Sequence, residues 1–362
     1  MTPLRVVIAG GGTGGHLYPG IAVARELLRR RPEAQITFAG TARGIEARVV
    51  PREGFELEVL RSAGLKGKSI AALARGLALV PLGGFDAWRI LSRRTPDVVI
   101  GVGGYSSGPV VLAAALRRVP TLVHEQNAVP GLTNRLLARV VGAAAVTFAS
   151  TAAFFGRRAI VSGNPVRPEF FDRSDAPGEA GGRPRVLIFG GSQGAHAINV
   201  AMVAAAPQLA AVPGRVAITH QTGERDLAMV QAGYRSAGLD AAVEPFLYAM
   251  DREMKRADLV VSRAGSTTLA ELAAAGRPAL LVPLPTATDD HQRKNAEVVA
   301  AAGAAEVLDQ RTLTGELLAA RITALVADGA RLQRMSAAAR ALARPDAARV
   351  IVDRILELVN GK

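Results

Sequence analysis

Short runs of β-branched and apolar residues alternate along the chain with longer stretches in which apolar residues recur at helical spacing. This alternation is typical of βαβ units on a parallel sheet. The runs that predict strands are residues 5–9, 36–39, 98–101, 121–124, 145–148, 159–161, 185–189, 216–220, 242–246, 259–262 and 279–282. The fold class is therefore α/β, with doubly wound parallel sheets.

The alternation pauses once, over residues 164–184, which hold four prolines and three glycines and read as a linker. It divides the chain into a first domain, 1–163, and a second domain, 185–344. Residues 345–359 place proline early and apolar residues at helical spacing, which predicts a closing helix. We expect this C-terminal segment, 345–362, to pack back on the first domain.

Composition narrows the class of protein. With 49% hydrophobic and 21% charged residues in 362, the chain is expected to fold, and the absence of cysteine excludes disulfides and thiolate sites. The formal charge is +13, and only five of the 44 cations are lysine. An anionic partner is indicated, either nucleic acid, a phosphorylated ligand or an acidic membrane. No signal peptide is expected, because the first residues lack a long apolar run and a small-residue cleavage site. No transmembrane segment is expected, because glycines interrupt the longest uncharged stretch, 98–116.

Three glycine-rich segments follow predicted strands and precede predicted helices, the first of which is predicted over residues 21–30. They span residues 10–16, 101–109 and 190–195 and hold 12 of the 38 glycines. Glycines in this position let backbone amides approach an anion that a helix N-terminus also favours. One such segment is often only a tight turn, but three in equivalent positions favour a phosphorylated ligand.

Parts of these glycine-rich segments also match sequence patterns of two other enzyme classes. Gly10, Gly12 and Gly15 fit the dinucleotide pattern G-x-G-x-x-G, yet residues 39–41 lack the acid that an NAD-binding domain places after its second strand. Residues 190–194 fit the hydrolase pattern G-x-S-x-G, with His291 and either Asp289 or Asp258 as partners. Since Ser192 follows the first strand of a second domain, we interpret it as a phosphate ligand.

Polar residues also cluster after other strands. Residues 124–127 (His-Glu-Gln-Asn) follow a buried run and either meet a ligand or form a capped turn, and Arg167 suits a carboxylate or phosphate. In residues 262–271, Ser266 to Thr268 are expected to cap a helix and present amides to a diphosphate, with Glu271 accepting from ribose hydroxyls. Residues 283–295 are rich in side chains that hydrogen-bond sugars.

Taken in order, these motifs resemble the MurG family of bacterial N-acetylglucosaminyltransferases. The segments that carry the resemblance are residues 11–16, 103–105, 124–127, 163–167, 190–194 and 266–271, and the likeness covers essentially the whole chain. It implies the GT-B fold, with two Rossmann-like domains that face a cleft, and inverting transfer of N-acetylglucosamine from UDP-GlcNAc to the MurNAc 4-hydroxyl of undecaprenyl-linked lipid I. The product would be lipid II, the precursor of peptidoglycan. Another GT-B enzyme with a different lipid or glycan acceptor is the alternative.

The resemblance also assigns residues. His16 is the candidate general base, because imidazole titrates near neutral pH, with Glu125 and His124 as rivals. The acceptor side is assigned Gly103, Gly104 and Tyr105. The sugar-nucleotide contacts that the resemblance implies are Thr13, Gly14, Gly15, Asn127, Arg167, Ser192, Gln193, Leu247 (through its backbone), Ser266, Thr267, Thr268, Leu269, Ala270, Glu271 and Gln292. No cofactor or metal is expected, and Asp289 and Asp290 do not form a D-x-D triplet.

An apolar stripe with a basic border indicates membrane contact. The stripe is Ile70, Leu73, Leu77, Val80, Phe85, Trp88 and Leu91, and its border is Lys66, Lys68, Arg75, Arg89, Arg93 and Arg94. This pattern suits a peripheral protein on anionic lipid, here the cytoplasmic face of the bacterial membrane. An ordinary core-facing helix is the alternative. A nucleic-acid partner is disfavoured, because aromatic residues are only 4%. Proteins of cell-wall synthesis or division are further expected partners.

Overall fold

The computed structural model describes residues 3–61, 70–172, 182–191, 194–211 and 216–361, with the backbone alone over 70–80. Contacts within the chain separate two compact units. The first comprises Met1–Val166 with Arg344–Lys362, and the second comprises Arg167–Ala343. Both are Rossmann-like α/β units, so the predicted fold class is confirmed.

The first unit is built on a seven-stranded sheet in which every pair of neighbours is parallel, in the order β3-β2-β1-β4-β5-β6-β7. Its strands are β1 (Arg5–Ala9), β2 (Gln35–Gly40), β3 (Glu56–Val59), β4 (Val98–Gly101), β5 (Thr121–Glu125), β6 (Ala143–Val146) and β7 (Ala159–Val161). Its helices, numbered along the chain, are α1 (Gly14–Arg30), α2 (Glu46–Arg52), α3 (Ile70–Arg94), α4 (Ser107–Leu116), α5 (Leu132–Leu137), α6 (Ala149–Phe155) and α14 (Ala347–Asn360).

The second unit is built on a six-stranded parallel sheet in the order β10-β9-β8-β11-β12-β13. Its strands are β8 (Arg185–Phe189), β9 (Ala217–Gln221), β10 (Ala241–Glu244), β11 (Leu259–Ser262), β12 (Ala279–Leu281) and β13 (Ala305–Val307). Its helices are α7 (His196–Ala210), α8 (Leu227–Ser236), α9 (Met250–Arg256), α10 (Ser266–Ala275), α11 (His291–Ala301), α12 (Gly315–Ala327) and α13 (Gly329–Ala341).

The central strands are apolar along their whole length because helices cover both faces of each sheet. In the first unit, one face packs on α1 and α14 and the other on α3 and α4. Ile351, Val352 and Ile355 of α14 are completely buried there, so the C-terminal helix belongs to the core of the first unit. In the described part of the chain, no helix has the length and apolarity needed to cross a membrane.

The strand order reverses between β1 and β4 in the first sheet and between β8 and β11 in the second. At such a switch point the loops after the two strands diverge and leave a crevice at their carboxyl ends, where α/β folds bind ligands. The glycine segments after β1, β4 and β8 and the polar block after β11 all lie at these two points. The fold thus brings the sequence motifs to the carboxyl edge of each sheet.

Eleven predicted strands are observed with small shifts at their ends, but β3 and β13 were not predicted. Both lie at sheet edges, where strands are short and half exposed and carry weak hydrophobic patterning. The predicted start of helix α1 was also wrong. The helix was expected to begin at residue 21 and begins at Gly14, so Gly14, Gly15 and His16 form its first turn rather than a loop.

Candidate active site

The first glycine segment runs from Gly10 into the first turn of α1. The chain reverses direction at Gly10 to Gly12, whose φ angles of 156°, 149° and 83° suit glycine, and Thr13 enters the helix in extended conformation. Side chains of the first turn therefore sit at the carboxyl edge of β1. His16, half-buried, is among them.

A carboxylate of the protein itself occupies this loop. Glu46, only 1% exposed, accepts hydrogen bonds through Oε2 from the Gly12 amide (2.7 Å) and through Oε1 from the Thr41 amide (2.9 Å) and hydroxyl (2.8 Å). Burial alone raises the pKa of Glu46, but these hydrogen bonds outweigh it and hold the pKa below its usual value. The Gly12 amide is thus satisfied internally.

The second glycine segment packs against the first. A Cβ on Gly104 would lie 2.4 Å from the Gly11 carbonyl oxygen, and one on Gly103 would lie 2.6 Å from Nδ1 of His16. Both residues have φ angles in the left-handed region. Glycine at 103 and 104 is therefore required because two backbone segments and the His16 ring approach each other closely.

The His16 ring is joined to a buried polar chain from β5. Nδ1 of His16 lies 3.2 Å from Oε1 of Gln126, whose Nε2 donates to the Val102 carbonyl (2.8 Å) and lies 3.2 Å from Nδ1 of His124. His124 is 1% exposed, and its Nε2 lies 3.4 Å from the Gly163 carbonyl oxygen. Burial lowers the pKa of His124 to about 4, so this ring is neutral near pH 7.

Glu125 points into a turn rather than to solvent. Its Oε1 accepts from the backbone and side-chain nitrogens of Asn127 (3.0 and 3.2 Å), and its Oε2 accepts from the Gly131 amide (2.9 Å) and Asn134 Nδ2 (2.8 Å). The carboxylate is 2% exposed. The interpretation of residues 124–127 as a capped turn therefore holds for Glu125, whereas their contact with a ligand stays a prediction.

In the second unit, the Gln221 side chain connects two loops at the carboxyl edge of the sheet. Gln221 donates through Nε2 to the Gly191 carbonyl (2.9 Å) and accepts through Oε1 from the Leu247 amide (2.9 Å). Gly194 faces the carbonyl of Thr222, which a Cβ would approach to 1.9 Å. The predicted ligands Ser192 and Gln193 lie outside the described residues.

A buried polar network also supports the loop that follows β8. Asn199 of α7 donates to the Thr222 carbonyl (2.9 Å) and to Asp226 (2.8 Å), and Asp226 also pairs with Nδ1 of His196 (2.9 Å). His220 lies 3.0 Å from Oδ1 of Asn199, and burial lowers its pKa to about 3. Because each hydrogen bond orients the next, the loop after β8 has a rigid support.

The polar block after β11 opens helix α10. Gly265 occupies the N-cap position and makes no side-chain hydrogen bond, so the expectation that Ser266 to Thr268 cap the helix was wrong. These residues are instead the first turn, with Leu269 and Ala270 next, and Ser266 is 8% exposed. First-turn amides point toward the helix N-terminus, where they suit an anion.

Glu271, one turn further along α10, lies near Arg167. Desolvation by the surrounding protein raises the pKa of the Glu271 carboxyl to about 7, and the positive charge of Arg167 acts in the opposite direction. The Arg167 guanidinium in turn stacks on Phe170, 5.1 Å from its ring centroid. Two residues that were predicted to contact the nucleotide, 104 positions apart, are thus neighbours.

Gln292 also lies at this edge of the sheet. Its Oε1 accepts from the amides of Leu284 (3.0 Å) and Ala264 (3.4 Å), which joins the loops that follow β12 and β11. Arg263 supports the same loops by donating to the Val282 carbonyl (2.9 Å). The neighbouring His291 directs Nδ1 at the Thr288 carbonyl (2.7 Å).

Comparison with known proteins assigns the chain to a family. Residues 6–146 match the N-terminal domain of glycosyltransferase family 28, and residues 185–351 match its C-terminal domain. A relative from Anaeromyxobacter sp. strain K is 50% identical over 360 residues, which cover 99% of this chain and 94% of the relative. The chain belongs to glycosyltransferase family 28.

The named relatives of this family 28 glycosyltransferase agree with one another. The Anaeromyxobacter protein and one from Pelobacter propionicus, 49% identical over 99% of this chain and 100% of that protein, both carry the name UDP-N-acetylglucosamine–N-acetylmuramyl-(pentapeptide) pyrophosphoryl-undecaprenol N-acetylglucosamine transferase. The crystal structure of Acinetobacter baumannii MurG is similar with a TM-score of 0.81 and 34% identity, over 98% of this chain and all of that one.

The geometry of this family 28 glycosyltransferase also argues against the two alternative classes, an α/β-hydrolase and an NAD-binding enzyme. Asp258 accepts from the Arg185 amide at the amino end of β8, whereas the G-x-S-x-G pattern begins at Gly190, after the carboxyl end of this strand, so Asp258 is not a triad partner. An acid does follow β2, but Glu46 is turned into the glycine loop, where it leaves no carboxylate for a ribose.

Helix α3 departs from the predicted membrane stripe in two respects. Phe85 and Trp88 are 66% and 50% exposed as predicted, whereas Leu91 is completely buried in the core. In the predicted basic border, Arg93 and Arg94 form ion pairs with Glu58 of β3, which reduces the local positive charge. The side chains of Leu77 and Arg75, and all of Lys66 and Lys68, lie outside the described residues.

Three residues of the site were missed at the level of sequence. The sequence pattern singles out neither Gln126 within its motif nor Glu46 and Gln221 elsewhere. A signal for Glu46 existed in Gly11, Gly40 and Gly44, each of which would place a Cβ within 2.6 Å of its side chain. Without the fold, nothing connected those glycines to one carboxylate.

Proposed function

We propose that this family 28 glycosyltransferase transfers N-acetylglucosamine from UDP-GlcNAc to the 4-hydroxyl of MurNAc in lipid I, giving lipid II for peptidoglycan synthesis. The observation that carries the proposal is identity near 50% over almost the whole length of relatives with that activity in their name. The position of His16 in the first turn of α1 after β1, and that of Glu271, beside Arg167, in α10 after β11, support it.

The reaction is a direct displacement at the anomeric carbon of the donor. The acceptor oxygen O4 forms a bond to C1 as the bond from C1 to the β-phosphate oxygen breaks, and the configuration at C1 inverts. The O4 proton passes to Nε2 of His16, and UDP leaves with the bonding electron pair. His124 and Glu125 are poor bases here because both are buried and hydrogen-bonded to other parts of the first unit.

Binding of the donor falls mainly to the second unit in this proposal. The first-turn amides of α10 and the Arg167 guanidinium stabilise the diphosphate, and they meet the growing negative charge as UDP leaves. The Leu247 backbone contacts the uracil, Glu271 the ribose, and Gln292 the sugar. Thr13, Gly14, Gly15 and Asn127 of the first unit are assigned to the sugar and diphosphate.

An assay of UDP release tests the proposed activity. Purified enzyme is incubated with UDP-GlcNAc alone, with lipid I, and with an undecaprenyl-linked acceptor whose MurNAc 4-hydroxyl is blocked. Release that requires lipid I and fails with the blocked acceptor is the expected result. Equal release with a different lipid or glycan acceptor would instead identify another sugar transferase.

Donor affinity should depend on the ionisation of Glu271. Because its pKa is raised to about 7, the carboxyl is mostly protonated at pH 6 and mostly ionised at pH 8, and only the ionised form accepts from both ribose hydroxyls. We expect the Kd for UDP-GlcNAc, measured by calorimetry, to fall roughly tenfold from pH 6 to pH 8.

The Glu271→Gln variant is the matched control for this pH dependence. It keeps the shape of the side chain without its ionisation, so its Kd should be weak and flat across the same range. Protein stability should move in the opposite direction, because a raised folded pKa favours folding below the ordinary value of 4.5 and loses that contribution as pH rises through about 7. A flat wild-type Kd would contradict the ribose assignment.

We also propose that the surface of α3 around Phe85 and Trp88 holds the enzyme on the cytoplasmic face of the membrane. Helix α4, which packs against α3, also has exposed apolar side chains, since Leu112 and Leu116 are 44% and 71% exposed. The guanidinium of Arg117 lies 5.1 Å from the Trp88 ring centroid. Apolar side chains beside an unburied cation suit an anionic lipid surface.

Replacing Phe85 and Trp88 together by serine should weaken binding to phosphatidylglycerol vesicles at least tenfold in a co-sedimentation assay. In the wild type, both rings leave water for the lipid interface. Full burial of each ring contributes about 1.5–3 kcal/mol to the free energy of binding. Tyr248→Ser is the control, since Tyr248 is 91% exposed on the second unit, outside this surface. Unchanged vesicle binding by the double variant would refute the membrane assignment.

A further inference from the structure

The amide of Gln126 has only one orientation that satisfies its neighbours. The Val102 carbonyl oxygen, 2.8 Å away, can only accept a hydrogen bond, so the Gln126 atom that faces it is the Nε2 donor. The other amide atom, Oε1, therefore faces Nδ1 of His16 at 3.2 Å. A backbone carbonyl thus fixes the orientation of a side chain whose two ends have similar shapes.

The second histidine is consistent with the same orientation. Nδ1 of His124 also lies 3.2 Å from Nε2 of Gln126, so this ring nitrogen accepts. The proton of the neutral His124 ring is then on Nε2, which points at the Gly163 carbonyl oxygen 3.4 Å away. Burial lowers the pKa of His124 to about 4, so the ring stays neutral and this arrangement persists through the neutral pH range.

We infer that Gln126 is a positioning residue that holds neutral His16 in the tautomer with its proton on Nδ1. Oε1 of Gln126 is an acceptor without a proton, so the 3.2 Å contact forms only when Nδ1 of His16 carries one. The lone pair of the neutral ring is then on Nε2. The inference rests on the proposed role of His16 as the base, and it states which nitrogen takes the O4 proton and what determines that choice.

The surroundings of the ring make this arrangement specific. Gln126 is 1% exposed, so water does not compete for Oε1, and the backbone of Gly103 lies against the Nδ1 edge of the ring. Turning the ring over would replace Nδ1 by a carbon and break the hydrogen bond to Gln126. A buried carbonyl left without its donor costs about 1–3 kcal/mol, which disfavours the turned ring.

The tautomer can be read directly from the wild-type enzyme. In protein labelled with ¹⁵N-histidine, long-range ¹H–¹⁵N spectra distinguish a protonated ring nitrogen from an unprotonated one, and the His16→Ala variant identifies the His16 signals. We expect the neutral His16 ring to be protonated on Nδ1. Protonation on Nε2 instead would overturn the inference without any substitution of Gln126.

The Gln126→Met variant tests the consequence for the reaction. Methionine has nearly the same length but accepts no comparable hydrogen bond, so the neutral ring should shift toward the Nε2-protonated form. We expect kcat with lipid I to fall about 10- to 100-fold while the KM for UDP-GlcNAc changes less than twofold, because the hydrogen bond orients the base and not the donor. An unchanged tautomer or an unchanged kcat would contradict the inference.

A control on the same strand separates this effect from a general loss of stability. Thr121 of β5 is 2% exposed, and its hydroxyl accepts from the Gly142 amide at 3.1 Å, so Thr121→Val also removes a side-chain hydrogen bond from the first unit, while the Thr121 carbonyl still accepts from that amide. Its His16 spectrum and kcat should match the wild type. If His16→Ala itself retains turnover, the base assignment fails instead, and the tautomer of His16 still decides the role of Gln126 independently.

Discussion

The His16→Ala variant is expected to lose about 10²- to 10⁴-fold in kcat with lipid I while it binds UDP-GlcNAc as tightly as the wild type. The loss reflects the removal of the group that takes the O4 proton, for which factors of this size are typical. Donor affinity should persist because Arg167, Glu271 and the α10 amides are on the second unit. Initial rates of UDP release give kcat, and calorimetry gives the donor Kd.

A second substitution at the same position separates proton transfer from packing. His16→Gln fills part of the same space and retains polar atoms, but its amide is not basic, so its kcat should fall by the same factor. The single tryptophan, Trp88, is in the first unit, and its fluorescence during urea unfolding reports whether that unit remains folded in either variant. A rate within tenfold of the wild type in a folded His16→Ala enzyme would exclude His16 as the base.

The largest effect on stability is expected from Glu46. The Glu46→Ala variant removes the buried carboxylate that accepts from the Gly12 amide and both donors of Thr41, and we expect it to lower the free energy of unfolding of the first unit by about 3 kcal/mol. Urea unfolding followed by Trp88 fluorescence measures the loss. Glu46→Gln, which replaces an accepting oxygen by a donor, should lose about 1–3 kcal/mol.

The dependence of this loss on pH follows from the lowered pKa of Glu46. The stabilisation is fully present above the ordinary pKa of 4.5 and is lost as pH falls through the lower folded value, so wild type and Glu46→Gln should converge under acid conditions. Glu53→Gln is the control, because Glu53 pairs with Arg25 at the surface and should change stability by less than about 1 kcal/mol. An equally small effect at Glu46 would contradict its structural role.

Elements whose residues are buried on every side were predictable from the sequence. Strands such as β1 and β8 are continuous apolar runs because helices cover both of their faces. Strand β3 escaped prediction because Glu56 and Glu58 alternate with apolar residues at an edge, where Glu58 pairs with Arg93 and Arg94 of α3. The start of α1 escaped because glycines, a histidine and Pro19 are poor helix formers, and only the fold places them in the helix.

The residues of the candidate site also fall into two groups, those that the sequence reveals and those that only the fold reveals. Motifs in which a short segment carries the chemistry, such as His16 after a glycine loop or Glu271 in a helix opening, could be recognised locally. Contacts between distant segments could not. Gln126 meets His16 across 110 positions, and Glu46 meets Gly12 across 34, so their roles emerge only when parallel strands bring the loops together at one edge.

The carboxylate of Glu46 also affects how the two halves of the chain compare. Both units place a glycine-rich turn after their first strand, and a search that scores glycine spacing alone would count two nucleotide loops. In the first unit, however, the protein supplies its own anion to the Gly12 amide. The buried carboxylate of Glu46 thereby connects the glycine loop to the segment after β2, so an acid that follows the second strand can serve the loop itself rather than a ligand.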